Sequence, residues 1–286
     1  MLRIALPNKG RLAEDARNLF DEAGLEVRSR GERVLTASLG GVFEAVFLRA
    51  QDIPEFVADG ASDIGVTGCD LVLESGRVLD ELLDLRFGRC RLVVAARQDS
   101  ALGSLDDLLP NTRVATAFPR LTRAFFDRAS RPVEIVPVSG AAEIAPHIGI
   151  ADVVVDLTSS GSTLRVNGLR ELETILESSA RLVGAPGVAA GPWAREIGDL
   201  VAALSSVLCA RGQRYLMANV PRAALDGVRS VLPGLNGPTV VNLLDGGAMV
   251  AVHAVVAAAT VDRTIADLKA LGAAGILVTR IERLTP

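Results

Sequence analysis

The chain has 286 residues, 49% of them hydrophobic and 22% charged, a globular balance with core enough for one large domain or two to three small ones. An aromatic share of 3% and a net charge of −4 argue against a base-stacking nucleic-acid platform and against general attraction to phosphate polymers or anionic membranes. Cys69, Cys90 and Cys209 are scattered with no CxxC, and His147 and His253 are the only histidines; a disulfide frame, a zinc site and a Ser-His-Asp triad are disfavoured, and reduced thiols suit a cytoplasmic protein.

In chain order, Leu2 to Leu6 reads as a buried strand broken by Pro7-Asn-Lys-Gly10, with no signal-peptide character. Leu12, Ala16, Leu19, Phe20 and Ala23 have helical spacing, so the residues from Arg11 to Ala23 form a helix stopped at Gly24. Strands follow at Val42 to Leu48 and Ile64 to Thr67, with a helix at Ile53 to Asp59 between them. Further apolar runs at Leu92 to Ala96, Arg113 to Ala115, Val133 to Val138 and Val153 to Val155 alternate with helical patterns at Leu105 to Leu109, Leu121 to Ala129 and Ala141 to Ile148. This alternation predicts α/β layers with sheets covered on both faces.

Beyond Arg211-Gly212 the rhythm changes. A strand at Arg214 to Val220 precedes a helix from Pro221 to Leu232, with proline in its first turn. Strands at Thr239 to Leu244 and Met249 to Val256 flank a hairpin turn at Asp245-Gly-Gly247. A helix at Val261 to Leu271 and a strand at Ile276 to Ile281 complete βαββαβ, the order of a ferredoxin-like module. The longest apolar stretch, Ala248 to Val261, contains His253 and falls short of a membrane span.

The most informative segment is Val153 to Leu164. A β-branched run ends in Asp156; Leu157, Thr158, Ser159, Ser160, Gly161, Ser162 and Thr163 follow, then Leu164. A glycine and hydroxyls after a buried strand supply amide and O–H donors for a phosphate, and a carboxylate can accept from sugar hydroxyls. A Ser/Thr-rich surface loop or helix cap has the same composition. No GK[ST] is present, so a Walker A loop is excluded. Lys9, Gly10 and Arg11 form a strand-to-helix turn that either binds polyphosphate or is a solvated turn. Arg49 follows a strand and suits a phosphate, a carboxylate or an ion pair. Asp70 lies where ligand crevices of α/β sheets gather, with helix capping as its other reading. Glu143 is either a capping-box glutamate or a contact for ribose or magnesium. No nucleophile-base pair is visible, so chemistry here depends on positioning and charge stabilisation.

Taken together the blocks ALPNKGRL, FLRAQDIPEFVADGASDIGVTGCDLVLES, SGAAEIAPHIGIADVVVDLTSSGSTLRVNGL, YLMANVP, VLPGLNGPTV and LKALGAAGILVTRIERL resemble the long form of ATP phosphoribosyltransferase, the first enzyme of histidine biosynthesis. The resemblance implies a two-domain, periplasmic-binding-protein-like catalytic core, residues 1–92 with 184–210 and 93–183, plus a histidine-binding regulatory domain at 211–286. It implies transfer of the phosphoribosyl group of phosphoribosyl pyrophosphate to N1 of ATP. The loop from Asp156 to Leu164, with Glu143, would hold phosphoribosyl pyrophosphate. Lys9, Gly10, Arg11, Leu12, Arg49, Asp70 and Phe118 would serve ATP; relatives often carry tyrosine in place of Phe118. Lys9, Glu143 and Asp156 would position the reactants. Mg²⁺ would be mainly substrate-borne, with Glu143 or Asp156 as candidate protein ligands.

For the histidine effector the resemblance points to Asn219, Leu235 and Thr239, with Ala273 and Ala274. It implies a homo-oligomer, dimer to hexamer, with no separate regulatory subunit and no nucleic-acid or membrane partner. Two other readings are a non-catalytic anion-binding protein of the same cleft fold, and a phosphoribosyltransferase acting on a free base. The first is usually exported with a signal peptide; the second usually carries paired acids before its loop, where Leu157 follows Asp156 here.

Overall fold

The computed structural model describes residues 1–28, 35–244 and 247–285. Two compact units are present, Met1–Val201 and Ala202–Pro286. The first unit begins with β1 (Arg3–Pro7), α1 (Ala13–Glu22), β2 (Val27–Arg28), β3 (Thr36–Leu39), β4 (Phe43–Leu48), α2 (Ile53–Ala58), β5 (Ile64–Gly68), α3 (Cys69–Ser75) and β6 (Asp80–Asp84). The chain then crosses into a second sheet through β7 (Cys90–Arg97), β8 (Thr112–Thr116), α4 (Pro119–Arg128), β9 (Val133–Pro137), β10 (Val153–Thr158), α5 (Ser162–Val166) and β11 (Leu169–Ser178). It returns to the first sheet as β12 (Ala180–Gly184) and continues into α6 (Ala194–Ala210). The orders are β2-β3-β4-β1-β5-β12-β6 and β11-β7-β10-β8-β9. Two α/β lobes joined by paired crossings form the periplasmic-binding-protein-like core that the family resemblance implies.

Each sheet contains a parallel run, β4-β1-β5 at the centre of the first and β10-β8-β9 along one side of the second, and strands covered on both faces need no polar alternation, which explains the unbroken apolar runs. Val153 and Val155 of β10 pack with Leu92, Phe118 and Phe126, whereas Val154 packs with Ala142 and Leu164 on the other face. Each such side chain withdrawn from water contributes about 1.5–3 kcal/mol. Period 2 along β10 places Asp156 on the Ala142 and Leu164 face, the side on which Glu143 stands.

The second unit comprises β13 (Gln213–Pro221), α7 (Leu225–Val231), β14 (Thr239–Asn242), β15 (Met249–Ala257), α8 (Val261–Ala270) and β16 (Ala274–Arg280), with sheet order β14-β15-β13-β16. All its pairings are antiparallel, the ferredoxin-like arrangement. Leu216, Ala218, Val220, Val250, Val252 and Ala254 pack against Val228 and Leu268 of α7 and α8. Asp245 and Gly246 of the expected hairpin turn lie outside the described residues.

Several elements differ from their sequence-based expectation. Ala141 to Ile148 is a 3-10 turn at Ala142–Ile144 followed by turns; Pro146 removes an amide and Gly149 takes φ 73°, so no longer helix propagates. Leu105 to Leu109 shortens to a 3-10 turn, Leu105–Asp107, capped by Ser104 and followed by Pro110. Pro221 ends β13, opposite Met249, and does not start a helix; its extended φ of −59° and ψ of 133° suit a strand end that needs no N–H. Ala180 to Val183, expected with residues 93–183, belong to the first sheet through pairing with β5, while Cys90 to Leu92 belong to the second. Hydrophobicity marks a strand without saying which sheet it joins. The division between units falls within α6, before the expected 210/211 boundary.

Candidate active site

The sequence-predicted turns all lie at carboxyl ends of parallel strands, where α/β sheets present their ligand crevices. Pro7 of β1 pairs with Leu48 of β4 and the Asn8 amide donates to Leu48 O at 2.7 Å, which sets the Lys9 to Leu12 turn beside Arg49. The Thr67 hydroxyl at the end of β5 donates to Ala50 O at 2.7 Å, tying the third strand end to the same turn. Lys9, Arg11 and Arg49 are exposed. Leu12 is buried and its Cδ2 lies 2.3 Å from where a Cβ on Gly88 would stand, so it closes the base of the lobe and offers little surface to a ligand.

In the second lobe β10 opens into residues 159–161. Gly161 adopts φ 73° and ψ 0°, the left-handed region, and turns the chain into α5. The Gly161 amide donates to Thr158 Oγ1 at 2.9 Å, and the Ser160 and Ser162 hydroxyls are 2.9 Å apart. Thr158 and Leu164 are buried and brace the loop; Ser159, Ser160, Ser162 and Thr163 are exposed. Beneath the turn, a Cβ at Gly161 would meet Glu171 Oε1 at 2.8 Å and Arg165 Nη1 at 3.0 Å. Arg91, opposite Thr158 in the sheet, donates to both Glu171 oxygens at 2.8 and 3.1 Å.

Asp156 is half-buried, and Oδ1 accepts the Leu157 amide at 2.7 Å. Burial raises its carboxyl above the ordinary aspartate range; the Leu157 hydrogen bond opposes this, and the neighbouring Glu143 charge adds to it. The two predicted carboxylates are thus brought together. The capping-box reading of Glu143 is not found, since the turn at Ala142–Ile144 has no side-chain cap bond.

Asp70 and Phe118 are placed differently from the expected ligand contacts. Asp70 is 1% exposed. Its Oδ1 accepts from the Ser178 hydroxyl at 2.5 Å, the Asp70 amide donates to the same hydroxyl at 3.0 Å, and Oδ2 is buried with no partner. Phe118 is buried in the second-lobe core, so its ring does not present a face for stacking. Both residues shape the cleft from below. Burial raises the Cys90 thiol, opposed by a hydrogen bond from Arg11 and reinforced by the Asp70 charge, so Arg11 reaches from the first turn to the crossing strand.

A cavity of about 460 Å³ opens beside the loop where the chain crosses between the two sheets; Ser159, Arg89, Cys90, Arg91, Ser178 and Arg181 line it. Arg181 is neutralised by Asp84 at 2.7 Å and Glu81 at 3.0 Å. Ser178, Arg91, Glu171 and Arg181 are absent from the sequence-based set. Arg91 and Arg181 are polar side chains within apolar strands, Glu171 and Ser178 lie on the largely polar β11, and partners 80 or 108 residues away are invisible without the register. Among the described residues no three His, Cys, Asp or Glu side chains gather as a metal cage.

In the second unit, Asn219 pairs with Ala274 across β13 and β16. Thr239 stands on β14 beyond β15, opposite His253, and Leu235 is exposed in the preceding loop. Ala273 packs on the α7 and α8 core. The five effector candidates therefore do not close into one pocket within this unit.

A two-lobed α/β core with a hydroxyl-rich loop at one strand end and Lys9, Arg11 and Arg49 at others, followed by a ferredoxin-like module, has the architecture expected of a phosphoribosyl-transferring enzyme, and comparison with known proteins places the chain in that class. Residues 49–206 match the family model "HisG: ATP phosphoribosyltransferase", and residues 210–283 match "HisG, C-terminal domain". The chain belongs to the ATP phosphoribosyltransferase family. It is 70% identical to an ATP phosphoribosyltransferase of Gemmatimonas aurantiaca over 100% of both chains. It is 44% identical to one of Methanocaldococcus jannaschii over 99% of this chain and 100% of the other. Among solved structures, the ATP phosphoribosyl transferase (HisG:HisZ) complex from Thermotoga maritima aligns with TM-score 0.63 at 27% identity, over 72% of this chain and 97% of that one. These matches favour a pentosyltransferase of histidine biosynthesis over an anion-binding protein or a free-base transferase. No helix among the described residues is long and apolar enough to cross a membrane.

Proposed function

We propose that the cleft of Met1–Val201 is where ATP and phosphoribosyl pyrophosphate meet, N1 of ATP becoming bonded to C1′ of the ribose and pyrophosphate departing. The observation that carries this reading is the juxtaposition of Asp156 and Glu143 with the loop from Leu157 to Leu164. Two carboxylates suit ribose hydroxyls, and the exposed Ser159, Ser160, Ser162 and Thr163 groups before and at the start of α5 suit the 5-phosphate.

As the C1′–O bond breaks, its electron pair leaves with pyrophosphate and positive charge develops at C1′. The N1 lone pair then forms the new C–N bond. Nearby carboxylates stabilise the cationic carbon, and fixed cations stabilise the departing oxygens. Lys9, Arg11 and Arg49 supply those cations from the first lobe; the cavity beside Ser159, with Arg89, gives the pyrophosphate room. Leu12, Asp70 and Phe118 hold the walls, and Gly10 (φ 84°) makes the first turn.

Asp156 with Glu143 beside it fits a divalent cation, because burial and the Glu143 charge both disfavour the ionised Asp156 carboxylate and a bound cation relieves this. Bound there with the pyrophosphate, Mg²⁺ would neutralise the leaving group. Residues 211–286 act as the histidine-responsive domain, with Asn219 and Ala274 paired across β13 and β16 among the candidates Asn219, Leu235, Thr239, Ala273 and Ala274. The Thermotoga neighbour is solved with a HisZ partner and leaves part of this chain unaligned, which supports a chain that carries its own regulatory module. It works in the cytoplasm as a homo-oligomer, dimer to hexamer.

The test is to mix ATP, phosphoribosyl pyrophosphate and Mg²⁺ with the folded chain and follow the adduct, with and without histidine. Adduct formation suppressed by histidine is expected. Folded protein that makes none overturns the reading, and activity untouched by saturating histidine removes the regulatory part.

A further inference from the structure

We infer that Glu74 is a positioning residue that fixes the two lobes against each other, acting across the cleft on helix α4. The inference rests on the reading that substrates are shared between the lobes. Helix α4 starts at Pro119, and the residue at its N-cap, Phe118, has no side-chain acceptor. Its open amides are satisfied from the other lobe. The Arg120 amide donates to Glu74 Oε1 at 2.9 Å and the Leu121 amide donates to Glu74 Oε2 at 2.9 Å. A carboxylate at that position also meets the positive end of the helix.

Glu74 is not an isolated contact. It belongs to α3, whose sheet is the first lobe's, yet one face of α3 is spent on the second lobe. Asp70 bonds Ser178 at the end of β11, Leu71 packs on the Leu92 and Phe118 cluster, and Glu74 lies one turn further on. At the helix end Gly76 takes φ 70°, and a Cβ there would stand 2.4 Å from Arg120 Cζ. The Arg120 guanidinium therefore lies directly on the Gly76 backbone, a seat that only glycine leaves free.

The consequence is functional. Lys9, Arg11 and Arg49 are carried by the first lobe and the phosphate loop by the second, so the spacing of the two anion sites depends on this strut. Opening at α3 strips α4 of its cap. If only the closed arrangement binds both substrates, weakening the strut lowers the competent fraction and raises apparent KM by that factor. The chemistry of the closed complex is unchanged.

The experiment uses Glu74→Ala and Glu74→Gln in the full chain. Readouts are KM for ATP and for phosphoribosyl pyrophosphate, kcat, and small-angle scattering of the unliganded protein. Expected for Glu74→Ala is a rise of about fivefold to tenfold in both KM values, matching the loss of one helix cap, with kcat within about twofold and a larger radius of gyration. Glu74→Gln, which keeps length and an acceptor, should recover part of the loss. Unchanged KM values in a folded variant overturn the proposal, as does a fall in kcat alone. If Glu74→Ala does not fold, Glu74→Gln decides by the same KM criterion. Wild-type protein that makes no adduct overturns the function reading, and scattering then decides the strut alone: equal radii overturn it.

Discussion

Ser178 and Asp70, 108 residues apart in the chain, exchange two hydrogen bonds: the serine hydroxyl donates to Oδ1 at 2.5 Å and accepts the aspartate amide at 3.0 Å. Among the described residues the second carboxylate oxygen is buried and accepts no hydrogen bond. Removing the hydroxyl leaves a buried charge without its donor, a change that costs about 1–3 kcal/mol or more. Ser178→Ala should lower unfolding stability by that amount in urea titration. Asp70→Asn with Ser178→Ala should cost less than the sum of the single changes, because the buried charge is gone. Additive losses would show that the two residues act separately.

Asp156 gives a pH dependence whose sign can be worked out. Burial is the main cause of its raised carboxyl, with the Glu143 charge acting the same way and the Leu157 amide opposing. A carboxyl raised in the fold disfavours ionisation there. Its contribution to stability therefore falls as pH climbs from the unfolded value of about 3.9 through the raised folded value, and is level above it. Sugar hydroxyls or a cation favour the ionised form, so affinity for phosphoribosyl pyrophosphate should rise with pH across the same window. Asp156→Asn should remove that slope, weaken binding by about tenfold to a hundredfold as a charge-assisted bond is lost, and leave the melting temperature equal or higher at neutral pH. Calorimetric titration from acid to neutral pH checks all three.

Much of this was legible in the sequence for one reason: parallel strands buried on both faces leave unbroken apolar runs, and their ends are punctuated by glycine, proline and hydroxyl residues. Strands at Val153 to Val155 and Ile64 to Thr67 and the βαββαβ tail could be read directly, although β10 runs on to Thr158, three residues into the segment read as loop. Glu171, Arg91, Ser178 and Glu74 could not. Each acts through a partner 46 to 108 residues distant, and such pairing follows from sheet order and lobe crossing, which local periodicity does not encode. Asp70 was marked by its position at a strand end and Phe118 by the family resemblance alone, but whether either side chain faces the cleft or the core is decided by packing. The break in the helix expected at Ala141 to Ile148 was signalled by Pro146 and Gly149, against the apolar spacing.

Gly161 combines both of the constraints that require glycine. Its φ of 73° is in the left-handed region, and a Cβ would approach Glu171 Oε1 to 2.8 Å. That carboxylate is gripped in two places by Arg91, so it cannot swing away cheaply. Gly161→Ala should cost about 1–2 kcal/mol from the backbone conformation alone and distort the loop amides. The expected outcome is a loss of phosphoribosyl pyrophosphate affinity of tenfold or more with ATP affinity little changed, read by titrating each ligand separately. Equal weakening of both would place the loop outside the phosphoribosyl site.

The last prediction concerns inhibition. Asn219 of β13 pairs with Ala274, and its Nδ2 lies 3.4 Å from where a Cβ on Gly275 would stand, so the amide faces the start of β16. Asparagine offers the amino group of a histidine effector a neutral acceptor; aspartate at the same place would offer a charge-assisted one, roughly twice as strong. Asn219 is half-buried on the sheet face opposite the α7 and α8 core, so the added charge is not forced into an apolar interior. Asn219→Asp should then lower the histidine concentration for half-inhibition by about fivefold to tenfold, given about 1–1.4 kcal/mol for the exchange of a neutral for a charged bond. KM and kcat without histidine should stay at their wild-type values. An unchanged inhibition curve would place the effector's amino group away from Asn219.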